Sequence, residues 1–153
     1  MLHITDEPLD AAALLKEFEA KAPHAGGIVT FSGRVRPDAA NGAVKSLLLQ
    51  SYAPMTKNGI RAAMDTALTR WPLDACTVVH REGEMAPGET IVFVAAASKH
   101  RRAAFEAADF LMDYLKTKAV FWKKETTDAG AIWIEPRLED YDDADRWTKQ
   151  ETA

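Results

Sequence analysis

The sequence predicts an α+β fold, with a mixed or antiparallel sheet and helices packed on it. Three observations carry that reading. Helix-like and strand-like segments follow one another without regular βαβ alternation. Two apolar strands, residues 75–80 and 90–97, are separated only by a segment containing Gly83, Pro87 and Gly88. Two further short strands follow the most amphipathic helix with no helix between them. At 153 residues the chain is sized for one domain with a small appendage.

Residues 10–21 are rich in Ala, Leu, Lys and Glu and read as an amphipathic helix, broken at Ala25-Gly26-Gly27. Residues 28–33 read as a strand that runs into Arg34-Val35-Arg36, and Asn41-Gly42 marks a turn before a second strand at 44–52. Residues 56–71 form a helix whose Ile60, Ala63, Met64, Ala67 and Leu68 share one face, and Pro72 limits its continuation. The strands at 75–80 and 90–97 pair antiparallel in this reading. Residues 101–116 make the clearest helix, with Ala104, Phe105, Ala108, Leu111, Met112 and Leu115 as its apolar stripe and Ser98 as the expected N-cap. Short strands at 120–125 and 131–135 flank the turn Thr127-Asp128-Ala129-Gly130. The domain is placed at 1–137. The acidic tail, 138–153, reads either as a short helix or as mobile chain.

Composition narrows the function classes. A net charge of −4 argues against sequence-independent DNA binding, which needs many cationic contacts to phosphates. The single cysteine, Cys76, excludes an internal disulfide and makes a cysteine-based zinc site unexpected; in an apolar strand it reads as core. His80 stands with no partner at metal-ligand spacing, and neither a metal nor a cofactor is expected. No apolar run approaches the ~20 residues that span a bilayer, and the first residues lack a signal-peptide pattern, so a cytoplasmic location is expected.

One segment reverses the charge of the rest. Residues 99–124 carry seven Lys or Arg against Glu106, Asp109 and Asp113, a local +4 that leaves −8 elsewhere. Lys99, His100, Arg101 and Arg102 crowd a helix start, where cations oppose the dipole at ~0.3–1 kcal/mol each. An anion held at the free N–H groups of that turn would offset this cost; the plain alternative is that the four side chains face solvent. Lys116 lies fifteen residues beyond Arg101, roughly 22 Å along the axis. His100 and Lys116 therefore share a pocket only if it is elongated or built from two copies of the chain. In an extended segment Lys123 and Glu125 point to one face, and Trp122 and Lys124 to the other. A partly desolvated lysine near a carboxylate and another lysine can act as acid, base or nucleophile. Arg34 and Arg36 suit bidentate binding of a phosphate or carboxylate, or else mark a solvated strand end.

On these residues the sequence resembles the family of large, catalytic subunits of molybdopterin synthase, over about residues 28–135. The resemblance rests on Val29-Thr30-Phe31-Ser32-Gly33-Arg34-Val35-Arg36, His80-Arg81-Glu82-Gly83-Glu84, Ser98-Lys99-His100-Arg101, Met112-Asp113-Tyr114-Leu115-Lys116 and Phe121-Trp122-Lys123-Lys124-Glu125. It implies an α/β-hammerhead-type fold with a small additional subdomain. It also implies a homodimer core of a heterotetramer, flanked by small ubiquitin-like carriers that end in a Gly-Gly thiocarboxylate. The implied reaction moves sulfur twice onto cyclic pyranopterin monophosphate. By resemblance, Lys116 is the main catalytic residue, supported by Lys123. Arg34, Val35, Arg36, His100, Arg101, Lys124 and Glu125 join the two lysines in substrate binding, Arg34 and Val35 through backbone. His100 and Arg101 would serve the neighbouring subunit's site. Val120 stands where the family commonly has proline, and no role is assigned to Gln50. The competing class is a non-catalytic nucleotide- or RNA-binding module, with Phe121 and Trp122 stacking on bases beside the same basic cluster.

Overall fold

Strands that are apolar without alternation need cover on both faces, and this chain supplies it. In the computed structural model, which describes residues 1–151 and the side chains of 1–148, the first sheet has the order β1-β5-β7-β2. It comprises β1 (Leu2–Thr5), β2 (Gly27–Arg34), β5 (Leu73–Arg81) and β7 (Thr90–Ser98). β1 runs parallel to β5, while β7 is antiparallel to both β5 and β2. Val79, Phe93, Ala95 and Ala97 pack under α1 (Ala11–Lys21) with its buried Phe18. Cys76, Val78, Val92, Val94 and Ala96 face α2 (Met55–Arg70) and α3 (Arg101–Thr117). The result is three layers, helix–sheet–helix.

The second sheet is antiparallel throughout, in the order β3-β4-β8-β9. It holds β3 (Asp38–Ala39), β4 (Gly42–Ser51), β8 (Phe121–Thr127) and β9 (Gly130–Trp133), and β6 (Gly83–Met85) also pairs with β4. Its core is Val35, Val44, Leu47, Leu49 and Met85. Phe121 and Ile91 pack against this core and against the main one, so the two sheets are joined by apolar contact.

The α+β class and the antiparallel β5–β7 pair are as expected. β1, β3 and β6 are additions: each has four residues or fewer, too short for a periodic signal. Ser98 does not cap α3. Its hydroxyl donates to the Pro72 carbonyl (2.9 Å), and His100 stands at the cap position with no side-chain bond to the helix. From Leu138 the chain forms α4 (Leu138–Glu151), packed on α3. Its anchor is Trp147, edge-on to Trp71 and Phe110, with Nε1 donating to Asp113 (2.6 Å). Arg146 bonds Asp109 and Asp113 (2.7 and 2.9 Å). Positions 152–153 of the acidic tail lie outside the described residues. Among the described residues no helix is long and apolar enough to cross a membrane.

Candidate active site

Lys116 sits in the last turn of α3, on the first layer; Lys123 sits in β8, on the second sheet. The fold brings them together. Burial holds the Lys123 ammonium below the usual lysine range. The charge of Lys116 is the next cause, and Arg36 acts the same way more weakly, while Glu125 and Asp140 pull it back up. Four charged groups from four stretches of chain thus act on one half-buried amine: Arg36 after β2, Lys116 on α3, Glu125 on β8, and Asp140 on α4 all surround Lys123. Among the described residues, neither lysine nor Arg36 closes an ion pair of its own.

β8 pairs with β4 so that Leu49 lies opposite Lys123, and Leu47 opposite Glu125. Leu47 and Leu49 are core residues, so Phe121, Lys123 and Glu125 share the inner face of the second sheet. The expected pairing of Lys123 with Glu125 on one face is therefore present. Lys124 is on the other face, with its ammonium 5.6 Å from the Trp133 ring centre, and Trp133 meets Trp122 edge-on at 6.0 Å. The structure does not bring Lys124 to the lysine pair, because alternation along the strand turns it away. Phe121 is not free to stack on a base, since its ring lies against His80, centroids 4.1 Å apart and planes 20° apart.

The arginines divide in role. The Arg34 guanidinium is engaged by the Gly88 carbonyl through Nε (3.0 Å) and Nη2 (2.9 Å). Val35 is buried, its N–H donating to Glu89 O (2.9 Å) and its carbonyl accepting from Gly88 N (2.8 Å). Arg81 in turn holds the Glu89 carboxylate (2.8 Å), which also accepts from Ala86 N. Arg34 and Val35 thus lock the 86–89 loop, and the exposed Arg36 projects from that lock.

His100 and Arg101 are exposed at the opposite end of α3 from Lys116, and within one chain they do not reach it. Gly26 and Gly27 let the strand lie against this helix start. A Cβ on Gly26 would stand 2.2 Å from the Lys99 carbonyl oxygen, and one on Gly27 3.5 Å from the Arg101 Cα. Cys76 is buried, its thiol pushed up by desolvation. Among the described residues no group of three His, Cys, Asp or Glu could hold a metal ion.

Three groups were not visible as site residues in the sequence. His80, buried, has Nδ1 2.9 Å from the Arg81 carbonyl; a carbonyl only accepts, so that nitrogen carries the proton. Glu82 accepts from the N–H (3.0 Å) and hydroxyl of Ser51. Asp140 is buried in the first turn of α4; burial would raise its carboxyl, but the Arg137 amide and guanidinium and the charge of Lys116 hold it low. His80 and Asp140 lie far from Lys123 in sequence and meet the lysines only through the tertiary fold, and Glu82 adds its charge beside His80.

Comparison with known proteins adds three findings. The family profile described as MoaE protein matches residues 4–118. The molybdopterin synthase catalytic subunit of Caulobacter vibrioides is 46% identical over 147 residues, 96% of this chain and 97% of that protein; its Escherichia coli counterpart is 48% identical over 122 residues, 80% and 81%. The solved structure of the molybdopterin biosynthesis MoaE protein from Burkholderia ambifaria superposes with a TM-score of 0.81 at 36% identity, covering 97% of both chains.

Proposed function

Because this chain belongs to the MoaE protein family of molybdopterin synthase catalytic subunits, and so is an enzyme of molybdenum cofactor biosynthesis, we propose that its two-lysine site takes sulfur from the thiocarboxylated C-terminus of a small carrier protein and places it on cyclic pyranopterin monophosphate. The observation that carries this reading is the half-buried Lys123 amine set beside Lys116 and Arg36. Both reactants are anions, and a partly desolvated cluster of cations is what would hold them together.

Each transfer breaks one carbon–sulfur bond at the carrier terminus and forms one at a carbon of the pterin side chain, where it displaces a carbon–oxygen bond whose oxygen leaves protonated or on the phosphate. Water supplies the oxygen that converts the carrier's acyl carbon to carboxylate. Lys116, exposed at the end of α3, stabilises charge on the carrier carbonyl as sulfur leaves. Lys123, with a lowered proton affinity, moves a proton, and Glu125 on the same face orients it. Arg36 binds the phosphate. His100 and Arg101 reach the site of a second copy of the chain, which accounts for their separation from Lys116 along the helix.

Purified chain mixed with thiocarboxylated carrier and the cyclic pterin should yield molybdopterin, read by fluorescence after oxidation. Lys116→Ala should lower that yield by at least about 10²-fold, with carrier binding nearly unchanged. Full turnover by the variant would refute the assignment.

A further inference from the structure

We propose that His80 is a positioning residue of the two-lysine site: its flat, neutral ring, stacked on Phe121, fixes the inner face of β8 so that Lys123 lies half-buried beside Lys116. The inference rests on the lysine pair identified above and deepens it, since it says what sets the spacing of the pair.

The two lysines belong to different layers. α3 rides on the first sheet, through β7 and β2, and carries Lys116 with it. β8 belongs to the second sheet and carries Lys123. Their separation is therefore set where the sheets meet. Beside the packing of Ile91 against both cores, three ties cross that seam among the described residues. Glu82, at the end of β5, accepts from Ser51 at the end of β4. Thr56 of α2 donates to the Val120 carbonyl (2.5 Å). His80 of β5 stacks on Phe121. The first tie acts on β4 and the second on the residue before β8. Only the third acts on the inner face of β8 itself, two residues from Lys123 in a strand where alternate residues point the same way. Phe121, like Ile91, also packs against both cores, so a shift of its ring moves the strand.

The charges around the pair require that ring to be neutral. Lys123 is faced by Lys116 from α3, Arg36 from the segment after β2, Glu125 from its own strand and Asp140 from α4. His80 is faced by Lys123 from β8 and by Glu82 from its own strand. An imidazolium would add a further cation to a site that already holds three. Desolvation keeps the ring neutral, with its pKa lowered to about 4.

The test follows the Lys123 ammonium directly. Lysine Cε and Nζ resonances of the full chain are titrated by heteronuclear NMR, with Lys123 assigned by its loss in Lys123→Arg. In His80→Ala, Phe121 loses its platform and water reaches Lys123. Its titration should move upward by ~1 unit, a tenfold gain in proton affinity. His80→Phe keeps a flat, neutral ring and should titrate as the parent does. An unmoved titration in folded His80→Ala would overturn the proposal, and so would a His80→Phe that shifts as far as His80→Ala. If His80→Ala does not fold, His80→Leu, which fills the volume without a flat ring, is read in its place by the same criteria. No sulfur donor or acceptor enters the experiment, so its outcome is separate from that of the transfer assay.

Discussion

Burying a histidine in its neutral form couples folding to pH in a fixed direction. His80 titrates near 6.5 when exposed in the unfolded chain and at about 4 in the folded one. Between these values the unfolded state binds more protons, so stability falls as pH drops from 6.5 to about 4, and this contribution is constant outside that window. The full difference is worth up to about 3 kcal/mol. Urea unfolding midpoints should therefore decline from pH 7 to pH 4.5, and the decline should be shallower in His80→Phe, whose ring does not titrate; equal slopes would show that His80 does not carry the effect. At this scale the sequence was legible where the chemistry is local. Lys123 and Glu125 share a face because strand alternation requires it, and the same rule turns Lys124 away. His80 was not legible, because its partner Phe121 lies forty-one residues on and nothing in the segment around either residue marks the pair.

Elements with their own strong period are legible in the sequence to within a residue or two. The sequence predicts α3 at 101–116 and it spans Arg101–Thr117, since an apolar stripe over four turns outweighs its uncapped start. β6 escaped because its three residues sit in a segment whose Gly and Pro read as loop, and it is held by pairing with β4 rather than by its own sequence. The start of α3 is held by backbone contact with the turn before β2. Gly26 donates to the Ser98 carbonyl (3.0 Å), and a Cβ there would collide with the Lys99 carbonyl, which cannot rotate away as a side chain could. Gly26→Ala should therefore push α3 off the sheet and cost ~3 kcal/mol, within the range of overpacking at close contacts. Denaturant unfolding measures that cost, and a loss below about 0.5 kcal/mol would mean the turn adapts freely.

Over the whole molecule, what the sequence withheld is how the layers meet. The order β1-β5-β7-β2 and the second sheet are built from pairings between distant segments, which periodicity does not report. The acidic tail is an instance: its sequence reads as a short helix or as mobile chain, and it is Trp147 that places α4 against α3 and brings Asp140 to the lysines. Trp147→Ala removes a buried indole and leaves Asp113 without one of its donors, so it should destabilise the fold by ~3–5 kcal/mol in urea unfolding. The charge map sets the last prediction. A +4 segment in a chain otherwise at −8 gives its surface, the lysine pair included, a pull on anions that the rest of the chain lacks. On the proposed function, both the cyclic phosphate and the carrier terminus are anions steered toward it. Raising ionic strength from ~0.01 to ~1 M shortens the screening length from about 30 to 3 Å. Association should weaken accordingly, with kcat/KM for the cyclic pterin falling by about tenfold or more. The step inside a preformed, saturated complex involves charges in contact and screened little by salt, so single-turnover rates at saturation should change far less. Equal salt sensitivity of both quantities would place the cationic groups in open solvent rather than around a half-buried amine.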